Sequence, residues 1–369
     1  MSVTGFEKFY SGKKVLVTGH TGFKGAWLSE WLLILGAKVS GFSIDIPTKP
    51  SLFETLSLGN RLNDHRGDVC NFSVLRKIFQ QEKPEIVFHL AAQPIVRASY
   101  DNPKFTFDTN LGGTVNVMEA IRETASVHTA VIITTDKCYE NSGKETAYKE
   151  TDALGGSDPY SASKACAEIA FSSYARSFFM KADAEEHQVF MASARAGNVI
   201  GGGDWAQDRI VADCIKAWSK NEAVELRNPN SVRPWQHVLE PVGAYLLLGA
   251  LLQKNPKYIH GEAFNFGPSS DTNFRTIDLV AELETLWPGS KYSIAEAVID
   301  GKKEAKLLRL DCAKAARLLS WQPALNLKEC ADWLVTWYRC YYENPSACRD
   351  LTEQQILDYQ KKLLEKIPL

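Results

Sequence analysis

Short apolar runs alternate with longer amphipathic stretches through the first half of the chain. Val15-Leu16-Val17-Thr18 reads as a buried strand, and the stretch after it carries Trp27, Leu28, Trp31, Leu32 and Leu35 on one helical stripe. Residues 39–44 predict a second strand, 86–90 another, and 130–135 a further one after a long helix. Residues 191–195 predict a later strand. Repeated strand–helix order of this kind predicts an α/β fold, a doubly wound parallel sheet with helices on both faces. Beyond residue 196 the pattern breaks: Gly201-Gly202-Gly203-Asp204-Trp205 and Arg227-Asn228-Pro229-Asn230 are loop-rich. The expectation is a first domain over 1–195 and a smaller C-terminal lobe over 196–369, with later segments, about 235–262, returning to the first domain. Residues 351–366 predict a polar amphipathic helix at the surface. The tryptophans around Trp333 and Trp337 predict helix packing.

Composition narrows the class. A hydrophobic fraction of 45% and a charged fraction of 23% are those of an ordinary soluble globular protein. The net charge of −2 gives no basic surface for a polyanion, which argues against nucleic acid as a partner. No apolar run approaches the ~20 residues that span a bilayer, so no membrane association is expected. The segment Met1-Ser2-Val3-Thr4-Gly5-Phe6-Glu7 lacks a basic stretch followed by an apolar one, so no secretion signal is read there. Eight cysteines (70, 138, 166, 214, 312, 330, 340, 348) are scattered without a C-x-x-C pair or the close Cys or His spacing of zinc sites. Reduced thiols, a cytoplasmic location and no bound metal are the expectation.

The first chemistry follows the first strand. Gly19-x-x-Gly22-x-x-Gly25 opens the helix directly after it. Glycine there lets the chain turn tightly and approach a phosphate, while the helix N-terminus offers free N–H groups and a positive dipole end. Placed between a strand and an amphipathic helix, the triplet predicts a dinucleotide site that includes Thr21, Phe23 and Lys24. Asp45 stands 26 residues after Gly19, at the end of the second strand. A carboxylate there can accept the ribose hydroxyls and repel a 2′-phosphate, favouring NAD over NADP; a turn cap is the plainer role. Asp68, with Val69 beside it, is a candidate for the adenine edge. Ala91 and Ala92, directly after Leu90, keep the cofactor path free of bulky side chains, although core packing explains the alanines nearly as well.

The second chemistry lies at strand ends. Asp136 and Lys137 follow the apolar run 130–135, which places both charges at the carboxyl end of a buried parallel strand, where ligands bind in such sheets. Tyr160 and Lys164 are four apart, on one face of a helix. A neighbouring ammonium favours phenolate, so the pair predicts a tyrosine whose pKa is lowered toward use as a base.

Gly19-x-x-Gly22-x-x-Gly25, Asp68, Tyr160-x-x-x-Lys164 and Arg195-Ala196-Gly197-Asn198-Val199 together resemble the extended short-chain dehydrogenase/reductases that act on nucleotide sugars. The resemblance runs from about residue 14 to Tyr338 and implies a Rossmann-type domain with a nucleotide-sugar lobe. Within the family, residues 18–25, Thr135-Asp136-Lys137 and Arg233-Pro234-Trp235-Gln236-His237 look most like the 4,6-dehydratase branch acting on CDP-glucose.

That resemblance implies oxidation at carbon 4 by NAD with Tyr160 taking the hydroxyl proton. Water is then lost across carbons 5 and 6, and hydride returns to carbon 6. Thr135 would hydrogen-bond the 4-hydroxyl. Related dehydratases carry an Asp-Glu pair where this chain has Asp136 and Lys137. Asp136 as the acid must be protonated; Lys137 either removes the carbon 5 proton as a neutral amine or stabilises the developing enolate.

The same resemblance implies a homodimer, with a tetramer left open, and a role in deoxysugar synthesis for surface polysaccharide such as lipopolysaccharide O-antigen. Arg233 and Arg209 are candidates for the diphosphate because a guanidinium fork matches two phosphate oxygens. Asn198 and Arg309 are candidates for the sugar or phosphates, and His237 reads as a packed structural histidine. The alternatives are a dehydratase for dTDP-glucose or GDP-mannose, a nucleotide-sugar 4-epimerase, and a non-catalytic NAD-binding regulator.

Overall fold

The computed structural model describes residues 6–143, 146–180, 188–269, 274–295 and 308–367. Seven parallel strands form the central sheet: β1 (Lys14–Thr18), β2 (Lys38–Ser43), β3 (Asn63–Arg66), β4 (Ile86–His89), β5 (Thr129–Ile133), β6 (Phe190–Ala196) and β7 (Ala263–Phe266). Their spatial order is β3-β2-β1-β4-β5-β6-β7. The order reverses between β1 and β4, so the crevice above the strand ends opens there. The register pairs Val15 with Val39 on one side and with Ile86 on the other. β1, β4 and β5 are buried on both faces, which is why they read as unbroken apolar runs.

β3 carried no such signal. It is the edge strand, and its side chains Asn63, Asp64, His65 and Arg66 are polar. They are matched by local partners: Asn63 and His65 bond Glu82, and Asp64 bonds His20. β7 lies in parallel register with β6, its Ala263 opposite Ser193.

The helices that matter here are α1 (Phe23–Ile34), α2 (Gly113–Arg122), α3 (Pro159–Tyr174), α4 (Leu239–Lys254), α5 (Leu327–Glu343) and α6 (Cys348–Lys366). α1 departs from the one-stripe expectation, because every residue from Gly25 to Leu32 is buried. The stripe itself is covered in part by α6, where the Trp31 and Tyr359 rings meet at 5.8 Å and Trp31 Nε1 donates to Gln360 Oε1 at 3.0 Å. Glu30 is sealed in with them and pairs with Arg61 at 2.8 Å. α6 was expected as a surface feature. One face is exposed, but Ile356, Tyr359 and Leu363 are buried in the main core. α4 is buried almost throughout and packs on β5 and β6.

The rest of the C-terminal part contributes short strand pairs: Val199–Ile200 with Gln236–His237, and Val232–Arg233 with Phe274–Arg275. Trp337 is fully buried, and Trp333 packs on His237. Among the described residues, no helix is long and apolar enough to cross a membrane.

Candidate active site

Three strand ends converge on one crevice. Gly19, after β1, has φ of +75° and stands so close to the turn after β4 that a Cβ would lie 2.7 Å from the Ala91 nitrogen. Gly25 is under the same constraint, since a Cβ there would lie 2.0 Å from the Gly19 carbonyl oxygen. The two positions press the α1 N-terminus down on the loop. Gly22 caps α1 without any side-chain hydrogen bond, which leaves the first-turn N–H groups for an anion. Thr21 bonds the Asp45 backbone carbonyl at 2.6 Å, tying the loop to the end of β2. The Asp45 side chain is exposed. Asp68 accepts from the Cys70 N–H at 2.9 Å, and the Val69 carbonyl accepts from Asn116. Together these groups form a cradle with an anion site at one end and an exposed carboxylate at the other, which fits a dinucleotide.

Two histidines that the spacing did not single out hold this cradle. His20 lies beneath Gly41, and burial lowers its pKa to about 4 against the pull of Asp64. In the neutral ring Nε2 donates to Asp64 and Nδ1 accepts from Ser43, each at 2.9 Å. His89 is fully buried, with its pKa lowered to about 3 by burial and by the charge of Lys164. Its Nδ1 accepts from Thr18, whose oxygen receives the Ala91 N–H, and its Nε2 donates to Thr114. Thr114 bonds the Asn110 carbonyl, and the Asn110 side chain donates to Ser163 on α3. One buried chain of hydrogen bonds therefore fixes the glycine loop relative to the Tyr160 helix. Asn110 occupies a π-helical turn, Asp108–Gly112, inside the helix before β5. Such turns interrupt the regular hydrogen-bond ladder and cluster at functional sites.

α3 starts where its sequence dictates. Asp158 caps the Ser161 N–H at 2.9 Å, and Pro159 occupies the first turn. Tyr160 and Lys164 then face β5 from one side of the helix, both buried. Tyr160 hydrogen-bonds the Thr135 side chain. Lys164 donates to the Ile133 carbonyl at 3.4 Å. Burial lowers Lys164 to about 8, while Glu168, one turn on, works in the opposite direction.

The lowered tyrosine pKa expected from the pairing is not what these groups produce. Burial pushes Tyr160 up to about 12, with the Thr135 hydrogen bond and the Arg209 charge pulling the other way. Both members of the pair lose hydration together, and for the phenol that loss outweighs the neighbouring charges.

At the end of β5, Thr135 caps a short turn, Asp136–Cys138, by accepting the Lys137 N–H at 3.3 Å. Its hydroxyl donates to Asp136 Oδ1 at 3.0 Å. Asp136 is 2% exposed, and its Oδ2 lies 3.1 Å from where a Cβ on Gly197 would stand, so the segment leading to Asn198 passes close beside it. Lys137 is half-buried, with Nζ 4.0 Å from Asp136 Oδ1. The structure thus brings Thr135, Asp136, Lys137, Tyr160 and Lys164 to one strand end.

Lys24 belongs to this group as much as to the cofactor loop. Burial lowers it to about 8, Lys164 and Arg209 adding to that and Asp136 opposing it. Arg209, which only its loop position had suggested, is felt at both Tyr160 and Lys24. The Nε donors of Arg209 and Arg309 are buried without a hydrogen-bond partner, an arrangement that costs about 1–3 kcal/mol each until an acceptor is supplied. Arg233 is half-buried on its short strand, and the Asn198 carbonyl accepts from Gln236. His237 is fully buried between Trp27 and Trp333. Behind the site, Arg195 pairs with Glu168 at 2.8 Å and bonds the Tyr139 hydroxyl, joining β6 to α3.

Comparison with known proteins agrees with this architecture. Residues 16–334 match the family model described as GDP-mannose 4,6 dehydratase. A CDP-glucose 4,6-dehydratase of Salmonella typhimurium is 44% identical over 96% of this chain and 98% of its own. A UDP-glucose 4-epimerase of Mycoplasma pneumoniae is 26% identical over 89% of this chain and 97% of its own. Among solved structures, a UDP-glucose 4-epimerase of Thermus thermophilus in complex with NAD shares the fold. Its TM-score is 0.74 at 24% identity, over 88% of this chain and 98% of that one. Sheet order, glycine loop, strand-end acid and Tyr-Lys helix therefore sit in a frame matched along almost the whole chain, and the chain belongs to the GDP-mannose 4,6 dehydratase family.

Proposed function

We propose that the chain is an NAD-dependent CDP-glucose 4,6-dehydratase, a hydro-lyase that forms CDP-4-keto-6-deoxyglucose. One observation carries the chemistry: the Thr135-Asp136-Lys137 turn, with a buried carboxyl and a half-buried amine, lies against Tyr160 at a strand end. An oxidoreductase that only moved hydride would have no use for an added acid there. The nucleotide is supported by the Salmonella relative and by the resemblance of residues 18–25 and 233–237.

What NAD supplies when bound is a reversible hydride sink between carbon 4 and carbon 6. The glycine loop and the α1 N-terminus hold its diphosphate, Asp45 its ribose hydroxyls, Asp68 and Val69 its adenine, and residues 90–92 its path across the sheet. Thr135 orients the sugar 4-hydroxyl. Tyr160 takes its proton through the phenolate, which the Thr135 hydrogen bond and the Arg209 charge favour. Asp136 protonates the departing 6-hydroxyl. Lys137 either takes the carbon 5 proton as a neutral amine or stabilises the enolate as an ammonium. Arg209, Arg233 and Arg309 bind the diphosphate, with Asn198 beside it; the unmatched Nε groups of Arg209 and Arg309 support this.

The assembly in this reading is a homodimer through α3 and the helix before it. Phe105, on the helical segment Pro103–Phe107 that continues through the π turn into α2, and Ile169 on α3 are exposed and support the pairing; a monomer by light scattering would contradict it. The protein is cytoplasmic and supplies deoxysugar synthesis for surface polysaccharide such as O-antigen.

The test is incubation with CDP-, dTDP-, UDP- and GDP-sugars, scoring the 4-keto-6-deoxy product by its absorbance in strong base. CDP-glucose is the expected substrate. Preference for dTDP-glucose overturns the nucleotide, and an isomerised sugar without loss of water overturns the dehydratase. Absence of turnover with every nucleotide sugar favours a regulator.

A further inference from the structure

α5 and α6 form a helical hairpin joined by the short turn Pro345–Ala347. Cys340 lies in the last turn of α5, and Cys348 is the first residue of α6. Their sulfurs are 3.9 Å apart. The turn is closed by backbone bonds from Asn344 N–H to the Cys340 carbonyl and from Ala347 N–H to the Asn344 carbonyl. Below it, Trp337 Nε1 donates to Thr352 at 2.8 Å, and Thr352 donates to the Cys348 carbonyl at 2.7 Å. The two thiols are therefore held together by the hairpin itself. Cys340 is half-buried, within reach of a small solute, whereas Cys348 is fully buried.

We infer that Cys340 and Cys348 are a modification site, a dithiol that hydrogen peroxide converts to an intramolecular disulfide closing the base of the α5–α6 hairpin. Cys340 is attacked first: its sulfur takes one peroxide oxygen, the O–O bond breaks, and a sulfenic acid and water result. The Cys348 sulfur then displaces that oxygen. The S–S bond forms, the S–O bond breaks, and a second water leaves with the Cys348 proton. In sum two thiols and one peroxide give one disulfide and two waters. Burial and the neighbouring Cys340 sulfur push the Cys348 thiol up to about 12, which supports this order of events.

The hairpin is not remote from the site. Trp337 lies against Gly202, whose carbonyl accepts from Trp27 of α1, and Tyr338 bonds both backbone groups of Asp204 in the loop leading to Arg209. α6 itself covers α1. The disulfide therefore clamps two helices that brace the cofactor helix and the Arg209 loop.

The experiment treats the folded, full-length protein with hydrogen peroxide, alkylates it with iodoacetamide, and maps it by mass spectrometry. The expected result is loss of two of the eight thiols, a peptide pair joined through 340 and 348, and full recovery with dithiothreitol. Cys348→Ser leaves Cys340 as a sulfenic acid trapped by dimedone, and Cys340→Ser forms no crosslink. The inference is overturned if both residues remain alkylatable in peroxide that oxidises other thiols of the chain. It is also overturned if either sulfur is found joined to a different cysteine.

Discussion

Glu240→Gln should flatten part of the protein's pH-dependent stability. Glu240 is buried at the start of α4, and its Oε1 accepts the N–H groups of Ala324 and Leu325 at 2.8 and 2.7 Å. Its Oε2 meets the Tyr359 hydroxyl of α6 at 2.7 Å. Burial raises the carboxyl from an ordinary 4.5 to about 7, against the lowering effect of those hydrogen bonds. The unfolded chain therefore loses this proton first. The stabilising effect of the protonated carboxyl is fully present below pH ~4.5 and is lost as pH rises through about 7. A gap of about 2.5 pH units corresponds to about 3 kcal/mol. For a chain of this length, at about 2.1 cal/mol/K of unfolding entropy per residue, that is a Tm change of about 4 °C.

Glutamine keeps the geometry, since its oxygen accepts the two N–H groups and its amide donates to Tyr359, and it has no proton to lose. Thermal unfolding of both proteins from pH 5 to 8 measures the difference, and titrations elsewhere cancel. About 2 of those 2.5 pH units fall inside that window, so the variant should gain on the native protein by about 3 °C as pH rises across it. A difference in Tm that stays constant with pH would refute the reasoning.

Two further perturbations test the cradle and the base separately. Gly25→Ala drives a methyl into the Gly19 carbonyl, so it should cost about 1–3 kcal/mol or more and abolish NAD binding, measured by calorimetry alongside Tm. Tyr160→Phe should leave NAD affinity within about twofold while cutting turnover by about 10²–10⁴, the range of a lost proton-transfer group, read from the product assay.

Much of the sheet was legible because strands covered on both faces must be apolar throughout, as at β1, β4 and β5. The edge strand β3 escaped because its polar side chains are satisfied by partners such as Glu82, which no local pattern reveals. The same limit explains α1. Its stripe was legible, but the burial of the opposite face at Glu30 depends on Arg61, a partner that no local pattern reveals.

At the site, spacing placed the glycines at a helix start, Asp136 and Lys137 at a strand end, and Tyr160 with Lys164 on one helix face; that they meet was what the family resemblance implied. Spacing did not disclose that Lys24 shares the field of Asp136, or that Arg209 reaches Tyr160. It also gave the wrong direction for the Tyr160 phenol, because the charge of a neighbour can be read from a motif and the depth of burial cannot. His20 and His89 were overlooked for a related reason: each is neutral and buried, and its importance lies in which oxygens its two nitrogens meet.

The central claim is that Asp136 and Lys137 perform the loss of water, apart from the oxidation carried by Tyr160. A single-turnover experiment with CDP-glucose on Lys137→Ala tests it most directly, following reduced nicotinamide by absorbance and the 4-keto-6-deoxy product by quenching in base. The account predicts that reduced nicotinamide forms at close to the native rate and then persists, because the 4-keto sugar waits for elimination. Equal slowing of both signals would contradict it and leave Lys137 a residue that only positions the sugar.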